Sequence, residues 1–200
     1  RPFRIESPLS ANRLTFCPLR AIINKKMMEQ VMKISVIIPM YNVELYIAKC
    51  LLSCLNQDVS SSEYEIVVVN DGSPDKSGEI ACEYAKKDKR ISVVDKENGG
   101  KADSINMGIN VSKFPYFVCM DADSILEKDS LKKIAVPVLE NQDVVAVGSM
   151  IRISNGSKFE NGELKELRLP KKLLPAFQVL EYERSFLASR IFLDKFNANI

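Results

Sequence analysis

The stretch that decides the reading is Tyr116-Phe117-Val118-Cys119-Met120-Asp121-Ala122-Asp123. Five apolar or aromatic residues run directly into two carboxylates. A short continuous apolar run fits a strand buried on both faces, as in a parallel sheet. Alternate strand residues point the same way. Asp121 and Asp123 are therefore expected to project together at the carboxyl end of that strand, where open α/β sheets bind ligands. Two carboxylates so close repel unless a cation lies beside them. A hard divalent ion carrying phosphate oxygens meets that need. The plainer alternative is a solvated loop, with Asp123 or Ser124 capping the next helix.

Working outward, the same arrangement repeats. Residues 34–38 are β-branched and apolar, a buried strand that Pro39 is expected to end. Apolar positions 47, 50, 51, 54 and 55 have helical spacing. Residues 64–69 form a second strand running into Asn70-Asp71-Gly72-Ser73-Pro74, with Ser73 as N-cap and Pro74 at the first helical position. That helix extends to about residue 87, and 91–95 make a third strand. Asn98-Gly99-Gly100-Lys101 turns into a helix bearing Ala102, Ile105 and Ile109 on one face. After the opening strand come a helix over 128–141, a strand over 144–153 and a polar loop or small hairpin over 154–169. A long helix follows over 170–197, with Phe177, Leu180, Arg184 and Leu187 on one side. Alternating strands and helices of this length imply βαβ units and a mostly parallel sheet flanked by helices.

Composition narrows the chemistry. With 46% hydrophobic and 27% charged residues the chain is ordinary for a globular domain. A net charge of +2 argues against nucleic acid as a partner. The absence of histidine removes triads, His bases and His metal ligands. Cys17, Cys50, Cys54, Cys82 and Cys119 form no C-x-x-C pair and read as reduced core thiols of a cytoplasmic protein. No run of about 18 apolar residues exists to cross a membrane. Residues 1–31 are basic and aperiodic, and Met32 resembles a natural start. They read as upstream read-through, a non-native addition or an unrelated arm, with 14–23 able to form a short helix.

Each polar loop has a dull explanation by itself: Asp-Gly-Ser-Pro and Gly-Gly are common turns. Together, four loops at one sheet edge point to a nucleoside-diphosphate site with a metal. Backbone N–H groups and the helix dipole after Gly100 favour an anion, and Lys101 adds a point charge. Other phosphate motifs fail. G-x-x-x-x-G-K-[ST] would need glycine at 95 and Ser or Thr at 102, where the chain has Asp95 and Ala102. No G-x-G-x-x-G follows a strand.

The ordered set Pro39-Met40-Tyr41-Asn42, Val68-Val69-Asn70-Asp71-Gly72-Ser73, Glu97-Asn98-Gly99-Gly100-Lys101-Ala102 and Met120-Asp121-Ala122-Asp123 resembles the family 2 glycosyltransferases. The likeness covers roughly residues 33–190. It implies a GT-A, Rossmann-like fold over 32–200, C-terminally incomplete, that binds a nucleotide-sugar donor, UDP-linked, and transfers the sugar with inversion. Pro39 and Tyr41 would border the base and ribose, and Asp71 would accept from the base ring. Lys101 would approach the base or diphosphate. Asp121 and Asp123 would form the catalytic D-x-D, Asp121 by the ribose and diphosphate and Asp123 on Mg²⁺ or Mn²⁺. A glycan or lipid-linked acceptor is implied, with membrane association through sequence beyond Ile200 at the inner face of the cell membrane.

Gly100-Lys101-Ala102-Asp103-Ser104-Ile105-Asn106 and Gln178-Val179-Leu180-Glu181-Tyr182-Glu183-Arg184 are similar to processive poly-N-acetylglucosamine, chitin and hyaluronan synthases. Tyr41-Asn42-Val43-Glu44 looks as much like non-processive members. The family's carboxylate base is expected outside this chain, since Glu181 and Glu183, beside Arg184, read as a helix-surface ion pair. The rival readings are a nucleotide-binding module without turnover and a sugar nucleotidyltransferase. The latter wants a glycine-rich loop after the first strand, which Met40-Tyr41-Asn42-Val43 does not supply.

Overall fold

A computed structural model describes residues 32–141, 143–149, 151–160 and 163–185. The expected arm over 1–31 and the end of the last expected helix, Leu187 included, lie outside the described residues.

Four strands form a parallel sheet: β1 (Ile34–Met40), β2 (Tyr64–Asp71), β3 (Ile91–Lys96) and β4 (Tyr116–Cys119), in the order β3-β2-β1-β4. Helices α1 (Ile47–Leu55), α2 (Ser77–Lys87) and α3 (Lys101–Val111) connect them, and α4 (Ser130–Glu140) follows β4. The period-2 alternation of the strands sets the layers. Ile34, Val36, Ile38 and Met40 of β1 join Ile66 and Val68 of β2 on one face, packed with Ile47, Leu51 and Cys54 of α1, Ala81 of α2 and Leu131 of α4. On the other face α3 lies over β1 and β2. Gly108 permits this approach, because a Cβ there would sit 2.4 Å from Ile37 Cγ2. A hairpin, β5 (Lys158–Glu160) with β6 (Glu163–Glu166), and helix α5 (Leu173–Arg184) complete the described chain.

Several expectations are corrected. Pro39 does not end β1; the strand runs on to Met40. Ile37 accepts from Met120 N–H on the β4 side, so odd-numbered residues of β1 face β4. Pro39 therefore turns its missing N–H toward β4 beyond that strand's last rung, where no ladder bond is lost. Ser73 does not cap α2, which begins at Ser77; the Ser73 hydroxyl instead donates to the Met40 carbonyl at 3.4 Å.

β4 is not buried on both faces. Among the described residues it is the sheet's last strand, and Phe117 is 51% exposed. Residues 144–153 form no strand among the described residues, and Val145 is fully exposed. Their apolar character raises strand propensity, but a strand persists only where a neighbour's edge pairs with it. Helix α5 is shorter than expected at its start and buries none of its residues; Phe177 and Leu180 are exposed.

Candidate active site

The carboxyl ends of β1, β2 and β4 and the first turns of α3 surround one cavity of about 220 Å³. Pro39, Met40, Tyr41, Val43, Asp71, Lys101, Ser104, Asp121, Ala122 and Asp123 line it. Pro39, Tyr41, Asp71, Lys101, Asp121 and Asp123, singled out from sequence, are thus brought together in space.

The segment after β1 is held from the side. Asn42 adopts a left-handed backbone (φ 53°), a conformation Asn tolerates better than most residues. Its N–H donates to Ser73 Oγ at 3.3 Å, and Val43 N–H donates to Ser77 Oγ at 2.9 Å. Glu44 N–H donates to the Asp75 carboxylate at 2.9 Å, and Lys76 N–H returns a bond to the Glu44 carboxylate at 3.2 Å. Three residues after β1 are thus buttoned to four between Ser73 and Ser77, which fixes Tyr41 at the cavity wall.

Asp71 is the most constrained of the six. It is 4% exposed, yet it stays charged. The Lys96 ammonium lies 2.6 Å from one carboxylate oxygen, Gly99 N–H donates to the same oxygen at 2.9 Å, and Gly100 N–H donates to the other at 2.9 Å. Lys96 first, then Gly99, hold its pKa down at about 2 against the opposing effect of burial. This corrects the expectation that the Gly99 and Gly100 amides await a phosphate. The anion they hold is the protein's own carboxylate. Gly100, at φ 88° and ψ 168°, occupies backbone space open to glycine alone, and that turn aims its N–H at Asp71.

Asp121 and Asp123 lie in the turn after β4, not within the strand; Ser124 N–H closes the turn on the Asp121 carbonyl at 3.0 Å. Ala122 is buried between two exposed aspartates, so both carboxylates reach the cavity wall together. Lys101 pairs with Asp121. Beneath them the buried Cys50 thiol sits 3.9 Å from the Asp121 carbonyl, and its pKa is pushed up by the Cys54 thiol and by burial. Cys50 and Cys54 are core thiols as expected, whereas Cys119 is exposed. Glu181 forms an exposed ion pair with Arg184 at 2.5 Å, the helix-surface pairing read from sequence.

No three carboxylates or thiols converge as a preformed cage among the described residues. The donors present are two hard carboxylates on a cavity wall. They fit a Mg²⁺- or Mn²⁺-sized cation whose remaining positions are filled by phosphate and water oxygens.

Sequence reasoning missed Lys96, Asp103 and Ser104. Ser104 follows Lys101 at helical i+3 spacing, so the face it shares was readable. Lys96 was not: it is the ladder partner of Asp71, a fact that only strand register supplies.

The family model for glycosyl transferase family 2 matches residues 35–193. The uncharacterized glycosyltransferase EpsJ of Bacillus subtilis is 37% identical over 140 residues, covering 70% of this chain and 40% of EpsJ. The poly(ribitol-phosphate) beta-glucosyltransferase of Bacillus spizizenii is 34% identical over 137 residues, covering 68% of this chain and 22% of that protein. The chain therefore spans less than half the length of these relatives. Among solved structures, S. aureus TarS 1–349 in complex with UDP-GlcNAc superposes with a TM-score of 0.52 at 29% identity, covering 63% of this chain and 39% of that one. The parallel sheet flanked by helices resembles the GT-A glycosyltransferases.

Proposed function

The chain belongs to glycosyl transferase family 2, and on that premise we propose that its cavity holds the nucleoside diphosphate of a UDP-linked sugar donor for inverting transfer to a hydroxyl of a surface polymer. The observation that carries this reading is the convergence of Tyr41, Asp71, Lys101, Asp121 and Asp123 on one cavity from loops far apart in sequence. The UDP-GlcNAc complex of TarS supports the donor, and the poly(ribitol-phosphate) relative supports a polymeric acceptor.

In this reading Pro39 and Tyr41 flank the base and ribose, and Asp71 orders the floor and offers any spare lone pair to the base. Lys101 exchanges Asp121 for a diphosphate oxygen, offsetting charge on the leaving group. Asp121 is thereby released to the ribose and diphosphate side. Asp123 would hold Mg²⁺ or Mn²⁺, which when bound supplies Lewis-acid stabilisation of the departing diphosphate. The acceptor hydroxyl attacks the anomeric carbon opposite the diphosphate. Its proton goes to a base outside these residues, because Asp71 is buried and bonded and both D-x-D carboxylates face the donor. In this reading the reaction takes place at the cytoplasmic face of the cell membrane.

The test is calorimetric titration of UDP and UDP-GlcNAc with and without Mn²⁺, on the chain and on its Asp123→Ala variant. Binding that strengthens with Mn²⁺ in the parent and not in the variant is expected. UDP affinity indifferent to both would overturn the assignment.

A further inference from the structure

Lys96 lines no part of the cavity and is 12% exposed. Its ammonium nevertheless meets three oxygens. It lies 2.6 Å from the Asp71 carboxylate at the end of β2, 2.8 Å from the Asp103 carboxylate in the first turn of α3, and 2.5 Å from the Glu97 carbonyl. An ammonium has three donors, and here all three are used.

The bridge from Lys96 to Asp103 passes over the Gly99 α-carbon. A Cβ on Gly99 would lie 2.6 Å from the Asp103 carboxylate and 2.9 Å from the Lys96 ammonium. The loop between β3 and α3 is thus gripped twice. Lys96 holds the carbonyl of Glu97 from one side, and Asp71 holds the amides of Gly99 and Gly100 from the other. The grip ends at Lys101, whose side chain enters the cavity.

We infer that Lys96 is a positioning residue for the nucleotide site, clasping Asp71 to Asp103 so that the Glu97–Lys101 loop presents Lys101 to the diphosphate; this rests on the nucleotide reading above. Two consequences follow from charge. The clasp offsets two carboxylates, one of them buried, which would otherwise turn negative charge toward a diphosphate. It also keeps Asp71 ionised, so that the Gly99 and Gly100 amides stay bonded as pH falls. The charged groups around Asp71 are Lys96 from β3, Asp103 and Lys101 from α3, and Asp121 and Asp123 from the turn after β4; the segment after β1 contributes the phenol of Tyr41. Among the described residues, buried Ser104 Oγ finds no partner at normal hydrogen-bond geometry, yet it lies near enough to Asp71 to favour its charged form.

The experiment uses the full chain and its Lys96→Met, Lys96→Arg and Gly99→Ala variants. UDP is titrated with Mn²⁺ at pH 7, the Asp71 carboxyl is followed by NMR from pH 6 down to about 2, and amide exchange at positions 99 and 100 is followed without nucleotide. Lys96→Met should weaken UDP at least tenfold at pH 7 and move the Asp71 midpoint upward by about one pH unit. A lysine that does not grip Asp71 would leave that midpoint unmoved. Lys96→Arg should recover most of the affinity. Gly99→Ala, which displaces the bridge while keeping every charge, should act like Lys96→Met and stands in for it if the methionine variant does not fold. Both clasp-breaking variants should exchange the backbone amides at positions 99 and 100 at least tenfold faster. Exchange unchanged in these variants overturns the clasp whatever UDP does. A parent chain that binds no UDP while exchange accelerates overturns the nucleotide reading and Lys96's part in it, leaving the loop clasp alone.

Discussion

Lys101 and Asp121, twenty residues apart, form an ion pair on the wall of the cavity. Both side chains are more than half exposed, so water screens the pair and it contributes less than about 1 kcal/mol. A weak pair is readily exchanged. The cation and anion that would serve the donor neutralise each other until a diphosphate competes for the lysine.

Lys101→Met should therefore weaken UDP by about 10- to 100-fold, the loss expected for one charge-assisted hydrogen bond of about 1.5–3 kcal/mol. Uridine, lacking phosphates, should bind nearly as before. Parallel calorimetric titrations of the two ligands check this, and an equal loss for both would place Lys101 at the base instead.

Asp71 sets an acid dependence of stability. Its folded pKa of about 2 lies below the ordinary 3.8. A depressed carboxylate stabilises the fold above its unfolded pKa and loses that contribution as pH falls through the folded one. Stability should therefore decline as pH drops from about 4 to about 2. Asp71→Asn should cost about 2 kcal/mol at pH 7 and flatten this decline. Urea unfolding of both proteins at pH 7 and pH 3 measures the difference; parallel curves would contradict it.

Gly108 is a packing position. Alanine gains up to about 1 kcal/mol of helix propensity there. That gain is outweighed by overpacking against Ile37, which costs about 1–3 kcal/mol. Gly108→Ala should lower the melting temperature, and UDP affinity should fall with it, because α3 carries Lys101 at its first position. A melting temperature equal to or above the parent's would show that the Ile37 side chain rotates away freely.

Chelation of divalent ions should weaken UDP without unfolding the protein. The described residues bring only two carboxylates to the cavity from the turn after β4, and most of the hydrophobic core, Met40 and Ala122 apart, lies away from its wall. Thermal melts and UDP titrations with EDTA, then with Mn²⁺ restored, separate the two effects. A large fall in melting temperature on chelation would mean that the metal is structural.

Much of this architecture was legible in the residues. Apolar β-branched runs such as Val36–Ile38 and Val67–Val69, separated by helical spacing, specify parallel βαβ units, because each run must bury both faces. Polar loops that follow such runs all fall at one sheet edge, so the placement of Tyr41, Asp71, Lys101 and Asp123 was readable from order alone. What local pattern does not encode is the partner. Val144–Gly148 has strand composition, yet no described edge pairs with it, and Phe117 belongs to a core-like run yet lies on the last strand of the sheet.

The charge of Asp71 makes the same point at the site. In sequence Asp71 is an open acceptor after a strand, and Gly99-Gly100 is an open anion cradle. Strand register sets Asp71 opposite Lys96, and the turn into α3 folds the two glycine amides onto the carboxylate. Periodicity and chain order suffice to gather these chemical groups at the sheet's carboxyl edge. Which of them are already engaged with one another is set in three dimensions, because hydrogen bonds and ion pairs depend on distances fixed by strand register and helix packing across 20 to 30 residues of intervening chain.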